Sequence, residues 1–231
     1  LKTQFIHRVW GGRQLTEQAD DPVIGEAWAI AEDNVVSSGP FEGQTLAQLS
    51  AQYPHELIGK DYTGKRFPLL IKLLDCADWL SVQVHPNDQQ AQQREGVGHF
   101  GKTEAWHILQ APPDAKIVIG IRSDTAPEVL KDAILNGQVM EHVEYAPVQA
   151  GDTFMIPAGT IHALGPNIFL YEVQQTSDLT YRIYDWDRPV ETGRSLHLIQ
   201  SAEISRPVSA IHEQTQLSGV LTSCRYFQLE K

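Results

Sequence analysis

Apolar residues fall into short, nearly unbroken runs along most of this chain. Residues 69–74, 80–84, 105–109, 116–121, 153–156, 168–173 and 179–184 each read as a strand, set off by turn-forming Gly and Pro. Runs of that kind belong inside a sandwich or barrel. Two more follow Pro207, at 208–212 and 218–229. Helical spacing is rarer. Thr45-Leu-Ala-Gln48 has the form of a capping box, with Leu46, Leu49 and Tyr53 on one face behind it and Pro54 expected to split the segment. Thr125-Ala-Pro-Glu128 has the same form ahead of Val129, Leu130, Ala133 and Ile134, with Gly137 as the stop. Residues 87–95 are polar and rich in Gln, which suits a solvated surface helix, and 195–203 read as a short helix. The prediction is a mainly β fold, an antiparallel sandwich or barrel with helical additions.

Composition narrows the function classes. With 42% hydrophobic and 20% charged residues over 231 positions, the chain is globular rather than disordered. A formal charge of −11 repels nucleic acid and anionic membranes, so neither is expected as a partner. An anionic substrate would need a local basic cluster. No apolar run approaches the length that spans a bilayer, and residues 1–12 lack the apolar stretch of a signal peptide. Cys76 and Cys224 are too few for a disulfide framework and fit a reducing, cytoplasmic setting.

The strongest local pattern runs from Gly151 to Asn167. A Gly-Asp turn leads into an apolar run, Pro157 and Gly159 make a bend, and His162 follows. This resembles the second signature of the cupin superfamily, with Asn167 one residue late, and the resemblance implies that His162 binds a metal inside a small jelly-roll barrel. Partners for it can be read from spacing. Gln83 and His85 are two residues apart, so in a strand they share a face, and Pro86 ends that strand. Polar groups facing a barrel interior are costly unless paired or metal-bound. Glu104 enters the next strand. Gln83, His85, Glu104 and His162 together offer one amide oxygen, one carboxylate and two imidazoles, a set that suits one divalent ion such as zinc.

Longer segments sharpen the comparison. Gln83-Val-His85-Pro86-Asn87-Asp88, Gly101-Lys102-Thr103-Glu104-Ala105-Trp106, Pro157-Ala-Gly-Thr-Ile-His162-Ala-Leu and the run from Tyr171-Glu172 through Gln174, Ser177 and Asp178 to Arg182 resemble segments of the type I mannose-6-phosphate isomerases (phosphomannose isomerases). Trp10-Gly11-Gly12, Gly25-Glu26-Ala27-Trp28 and Tyr184-Asp185-Trp186-Asp187-Arg188 fit as well, in the order of the short bacterial form. Members of that family continue into a complete second β domain. The expected division is therefore residues 1–206 as a metal-binding cupin catalytic domain with helical additions, and 207–231 as strands at the start, or a remnant, of a second cupin unit.

The resemblance implies interconversion of mannose 6-phosphate and fructose 6-phosphate through an enediol, with a metal at Gln83, His85, Glu104 and His162. Arg182 matches the family's catalytic arginine, a fixed donor for charge on the enediolate. A base must move the proton, and a water on the ion, Asp178 and Lys102 all remain open. For the phosphate, Arg188, Lys72 and Arg182 are the candidate cations, with Ser81 as a hydroxyl donor. Each also has a plain structural alternative: Arg182 pairing with Asp185, Asp178 bonding locally in a turn, Lys102 as a solvated surface charge. A cupin oxygenase using iron and a non-catalytic sugar-phosphate-binding protein are the rival functions. Gly96-Val-Gly98-His-Phe-Gly101 matches a dinucleotide fingerprint in letters only, because no apolar strand precedes it. Trp28, Trp79, Trp106 and Trp186 are candidates for lining a sugar pocket, though core packing is the commoner fate of such rings.

Overall fold

Short apolar runs covered on both faces make the central strands. A computed structural model of the chain describes all residues except 17–19, 61–63, 65, 190, 191, 193 and 214–218. One antiparallel sheet is built from β1 (Gln4–Ile6), β2 (Glu26–Ile30), β3 (Leu69–Cys76), β5 (Glu104–Gln110), β8 (Thr153–Ile156), β9 (Ile168–Gln175) and β11 (Ile211–Glu213), in the order β1-β2-β3-β9-β5-β8-β11. The facing layer pairs β4 (Val82–Val84) with β10 (Tyr181–Tyr184), and β6 (Lys116–Ile121) with β7 (Val143–Pro147). Isolated bridges from Gln83 to His162 and from Val118 to Ala163 join those two pairs. The jelly roll is thus two facing sheets rather than a closed ring.

Between the layers lies the main core, with Leu74, Trp106, Ile108, Phe154, Ile156 and Leu170 from the larger sheet meeting Leu80, Ile117 and Leu164 from the other. The outer face of the smaller layer, including Val82, Val84 and Val118, is covered by α4 (Pro127–Leu135) and α5 (Leu198–Ile204), through Leu130, Ile134 and Ile204. Ala105, Met155 and Val173 on the outer face of the larger sheet pack against Phe227, from the hairpin of β12 (Val220–Ser223) and β13 (Gln228–Glu230). Each layer is therefore apolar on both faces, which is why its strands read as continuous apolar runs.

Most helix expectations hold. Thr45 caps α1 (Leu46–Gln52) in a capping box, and Pro54 starts a separate turn, α2 (Pro54–Leu57). Asn87 caps α3 (Asp88–Glu95), of which Ala91 alone is buried. Thr125-Ala-Pro-Glu128, however, makes no capping box. Pro127 sets the first turn of α4, so the N-cap falls on Ala126, which has no side-chain acceptor, and Thr125 pairs with His142 Nδ1 instead (3.3 Å). The buried face of α4 is Leu130, Ala133 and Ile134, and Val129 lies off it, facing solvent (47% exposed). The strands β1, β2 and β7 lie outside the predicted runs: β1 and β7 are short and interrupted by polar residues, and β2 is an Ala-rich run with little β-branching. Gly96 ends α3 with φ of 106°, so the Gly-rich segment leads from helix to strand, and the dinucleotide reading fails. No helix among the described residues is long and apolar enough to cross a membrane.

Candidate metal centre and its cavity

Two strands from the facing layers, β4 and β5, and the segment after one bend converge at one end of the core. β4 presents Gln83, and His85 follows on the same face just past the strand. β5 begins at Glu104, paired with Gln174 of β9 and Ile156 of β8. The bend at Pro157-Ala-Gly159 then carries His162 back to bridge Gln83. Gly159 is required there: φ is 89°, and Arg206 packs 2.8 Å from where a Cβ would stand.

His85, Glu104 and His162 bring ligand atoms within 4.8 Å of one another, and each residue is at most 1% exposed. His162 Nε2 lies 3.3 Å from Glu104 Oε1, and His85 Nε2 lies 3.6 Å from Glu104 Oε2. The other ring nitrogens are held by backbone: His85 Nδ1 donates to Leu179 O (2.8 Å) and His162 Nδ1 to Thr160 O (2.9 Å). Those bonds fix the tautomer and leave both Nε2 lone pairs facing the centre. Burial, reinforced by the Lys102 charge, holds the His162 imidazole down at about 4 and His85 well below its ordinary range, so both rings are neutral near pH 7. Glu104 Oε1 is buried with no hydrogen-bond donor. An orphaned carboxylate oxygen beside two neutral, oriented imidazoles is a donor set that fits a divalent cation. Gln83 closes the group, its Nε2 3.3 Å from His162 Nε2 and its Oε1 accepting from Ser81 Oγ (3.3 Å). A half-turn of that amide points its oxygen to the same centre.

Beside this centre runs a row of buried charges of alternating sign. Lys102, only 5% exposed, contacts both Glu104 Oε2 and His85 Nε2. It also lies 4.0 Å from Glu172, which pairs with Lys72 (3.1 Å) and accepts from Trp106 Nε1 (3.1 Å). Lys72 reaches Glu26 (3.8 Å), which accepts from Arg8 (2.8 Å) and from Trp28 Nε1 (2.6 Å). Burial pushes both acids up, but the lysines and Arg8 outweigh it: Glu172 ends below its ordinary value and Glu26 at about 2. Burial likewise pushes Lys72 down, and Glu172 and Glu26 reverse that to leave it raised.

This row floors a cavity of about 410 Å³ whose lining includes Ser81, Gln83, Lys72, Lys102 and Glu172. Arg8, Arg182 and Arg194 line it as well, together with His197, whose imidazole burial and the Arg182 charge push down. Arg182 donates to Ser195 O (3.0 Å), and its buried Nε has no partner. Asp178 stands exposed at the rim. Lys102 is thus a buried group rather than a solvated charge. Arg188 sits elsewhere: it bonds Asp185 (2.9 Å), Asp78 (2.8 Å) and the Trp79 carbonyl (2.6 Å), and it is not among the lining residues. Arg194, on the second oxygen of Asp185 (2.9 Å), takes the cavity position. Of the tryptophans, Trp28 and Trp10 line the cavity, Trp106 packs edge-on against His162, and Trp79 stacks on Trp186 away from it. Sequence reasoning did not single out Arg8, Glu26, Glu172 or Arg194 as site residues. A lysine or glutamate in the middle of an apolar run, as at Lys72 and Glu172, was the available signal.

The chain is similar to known proteins over its whole length. The family model of the phosphomannose isomerase type I catalytic domain matches residues 1–111. Mannose-6-phosphate isomerase ManA of Bacillus subtilis (strain 168) is 40% identical over 248 residues, covering 100% of this chain and 78% of the relative. The mannose-6-phosphate isomerase of Streptococcus mutans serotype c is 39% identical, with 100% and 77% covered. The crystal structure of the mannose 6-phosphate isomerase from Bacillus subtilis superposes with a TM-score of 0.85 at 31% identity, covering 98% of this chain and 77% of that one. A point mutant of phosphomannose isomerase from Salmonella typhimurium gives 0.69 at 13% identity, with 96% and 77% covered, a likeness of fold alone.

Proposed function

We propose that this chain, which belongs to the type I phosphomannose isomerase family, interconverts mannose 6-phosphate and fructose 6-phosphate in the cavity beside His85, Glu104 and His162. The carrying observation is that Gln83 and Lys102, which contact the metal-ready donor set, line one cavity together with Arg8, Arg182 and Arg194. A phosphorylated sugar needs both groups, and a chain of net charge −11 must supply the cationic one locally.

His85 and His162 through Nε2, Glu104 through its carboxylate and Gln83 through its amide oxygen would hold the ion. Two imidazoles and two oxygens with room left over suit one zinc per chain. Bound there, the ion supplies Lewis-acid polarisation of the sugar's C1 and C2 oxygens. The remaining work belongs to the chain. Isomerisation moves a hydrogen between C1 and C2 through an enediol, and negative charge builds on the adjacent oxygen. Arg182, with an unpaired Nε at the cavity wall, is a fixed donor for that charge. Of the two side chains considered as proton carrier, Lys102 is favoured by its place against Glu104 and His85 inside the cavity, whereas Asp178 is exposed at the rim. Arg8 and Arg194 line the cavity and are the proposed phosphate seat, with Ser81 and Lys72, which line it too, left for the sugar hydroxyls. The set of Arg188 with Asp185 and Asp78 instead braces the turn at 185–188. A phosphorylated substrate and unpaired cysteines fit a cytoplasmic setting.

The test is a coupled assay for fructose 6-phosphate on chelated protein, with Zn²⁺ added back. Ion-dependent turnover of mannose 6-phosphate supports the reading. Binding of the sugar phosphate with no turnover under any divalent ion sinks it in favour of a binding protein.

A further inference from the structure

The segment 101–103, which carries Lys102, is held at every backbone amide. Gly101 N donates to Asp88 Oδ1 (2.9 Å), Lys102 N to Pro86 O (2.9 Å) and Thr103 N to Gln175 Oε1 (3.0 Å). Gly101 lies so close to α3 that a Cβ there would stand 2.5 Å from the backbone of Asn87 and Asp88. Asp88 is the junction of these contacts. Its Oδ1 also accepts from Gln175 Nε2 (2.8 Å), the same side chain that grips Thr103. Its Oδ2 accepts from Tyr226 Oη (2.9 Å) and lies 3.8 Å from Arg225, both in the hairpin of β12 and β13. One carboxylate thus ties together the start of α3, the Lys102 segment, the end of β9 and the C-terminal hairpin. Asp88 is not among the residues that line the cavity.

We propose that Asp88 is a positioning residue for Lys102, and that the C-terminal hairpin, through Tyr226, forms part of the same clamp. Lys102 must hold its ammonium against Glu104 and His85 from a loop rather than a strand. A loop holds such a group only if its backbone is fixed from outside, and misplacement by about 1 Å is enough to cost about 100-fold in rate. The catalytic part of this proposal rests on the isomerase reading; the mechanical part does not.

The test uses the full chain loaded with Zn²⁺ and the variants Asp88→Ala, Asp88→Asn and Tyr226→Phe. In D88A, kcat falls about 10- to 100-fold, while KM and bound zinc stay within about twofold. D88N keeps an oxygen for Gly101 and Gln175 and gains a donor for the tyrosine, so turnover recovers to within about threefold of wild type. Y226F, which removes one hydroxyl on the outer side of the clamp, lowers kcat by roughly threefold. Amide hydrogen exchange is the second readout: exchange at 101–103 speeds up in D88A and not in D88N. Unchanged kcat in D88A, or a loss of kcat that tracks loss of zinc, overturns the positioning role. Unchanged exchange at 101–103 overturns the clamp. If the wild-type protein does not isomerise mannose 6-phosphate, the functional reading has failed, and the exchange data still decide the clamp.

Discussion

Lys72 and Glu172 stand directly opposite one another in the register of β3 and β9, and their side chains meet at 3.1 Å in the floor of the cavity. That pair is the middle of a row, Arg8, Glu26, Lys72, Glu172, Lys102, Glu104, in which each charge faces its opposite. Three cations alternate with three acids, and because burial holds Glu104 up at about 7, the row becomes neutral only once Glu104 is ionised. Alternation is what makes its burial tolerable, because a lone buried charge is far more costly than a matched one.

Removing the central lysine should therefore unbalance two acids at once. Lys72→Met leaves Glu172 and Glu26 buried without their shared partner, and a loss of about 3–5 kcal/mol is expected from breaking a buried pair on one side. Urea unfolding measures it. A loss below about 1 kcal/mol would mean that water already screens the row. Activity should fall with the lysine gone even where the variant stays folded, because Lys72 also lines the cavity.

The same row gives stability a pH dependence with a definite sign. Glu26 is held at about 2 in the folded protein, against 4.5 for the free side chain. Its contribution is fully present above pH 4.5 and is lost as pH falls from there toward 2, on the order of 3 kcal/mol in all. Lys72 is raised, so its contribution is present below 10.5 and disappears as pH climbs past that value. Glu26→Gln should flatten the acid limb of a stability–pH curve and also weaken the alkaline limb, since Glu26 helps Glu172 to hold Lys72 raised. An acid limb identical to wild type would move its origin to other carboxylates.

The donor quartet was legible in the sequence, and the charge row was not. Gln83 and His85 announce a shared face by their spacing, and the bend at Pro157 and Gly159 announces His162. Those signals are local. Glu26, Lys72 and Glu172 become one site only through the pairing of β2 with β3 and β3 with β9, and Lys72 and Glu172 are 100 positions apart. Nothing in the residues themselves says which strands will be neighbours. The same holds for the arginines. Arg188 sits in a motif and Arg194 does not, yet the left-handed turn at Trp186 and Asp187 swings Arg188 onto Asp185 and leaves Arg194 at the cavity.

Metal retention and turnover should separate cleanly at two positions. His162→Ala removes a nitrogen whose partner Nδ1 is fixed by Thr160 O, and bound metal is expected to drop by at least about 10- to 100-fold in affinity. A fully metallated, active variant would refute the ligand assignment. Arg182→Lys leaves the quartet untouched, so metal content should match wild type while kcat falls by about 100- to 1,000-fold, the usual loss for a missing oxyanion donor. Lysine keeps the charge but cannot place two fixed N–H groups. Near-wild-type kcat would return Arg182 to a bracing role beside Ser195.

Arg194 and Arg188 share Asp185, one on each oxygen, and this makes them a controlled pair. Arg194 lines the cavity and Arg188 does not. If the cavity arginines seat the phosphate, Arg194→Met should raise KM for mannose 6-phosphate by about 10-fold or more with little change in kcat, since a phosphate contact far from C1 and C2 acts equally in the ground and transition states. The defect should shrink for a sugar lacking the phosphate. Arg188→Met should do the reverse: KM stays put, and the melting temperature drops because Asp78, Asp185 and the Trp79 carbonyl lose a common donor. Equal KM effects at the two positions would place the phosphate away from Arg194 and turn attention to Arg8, another arginine of the cavity lining.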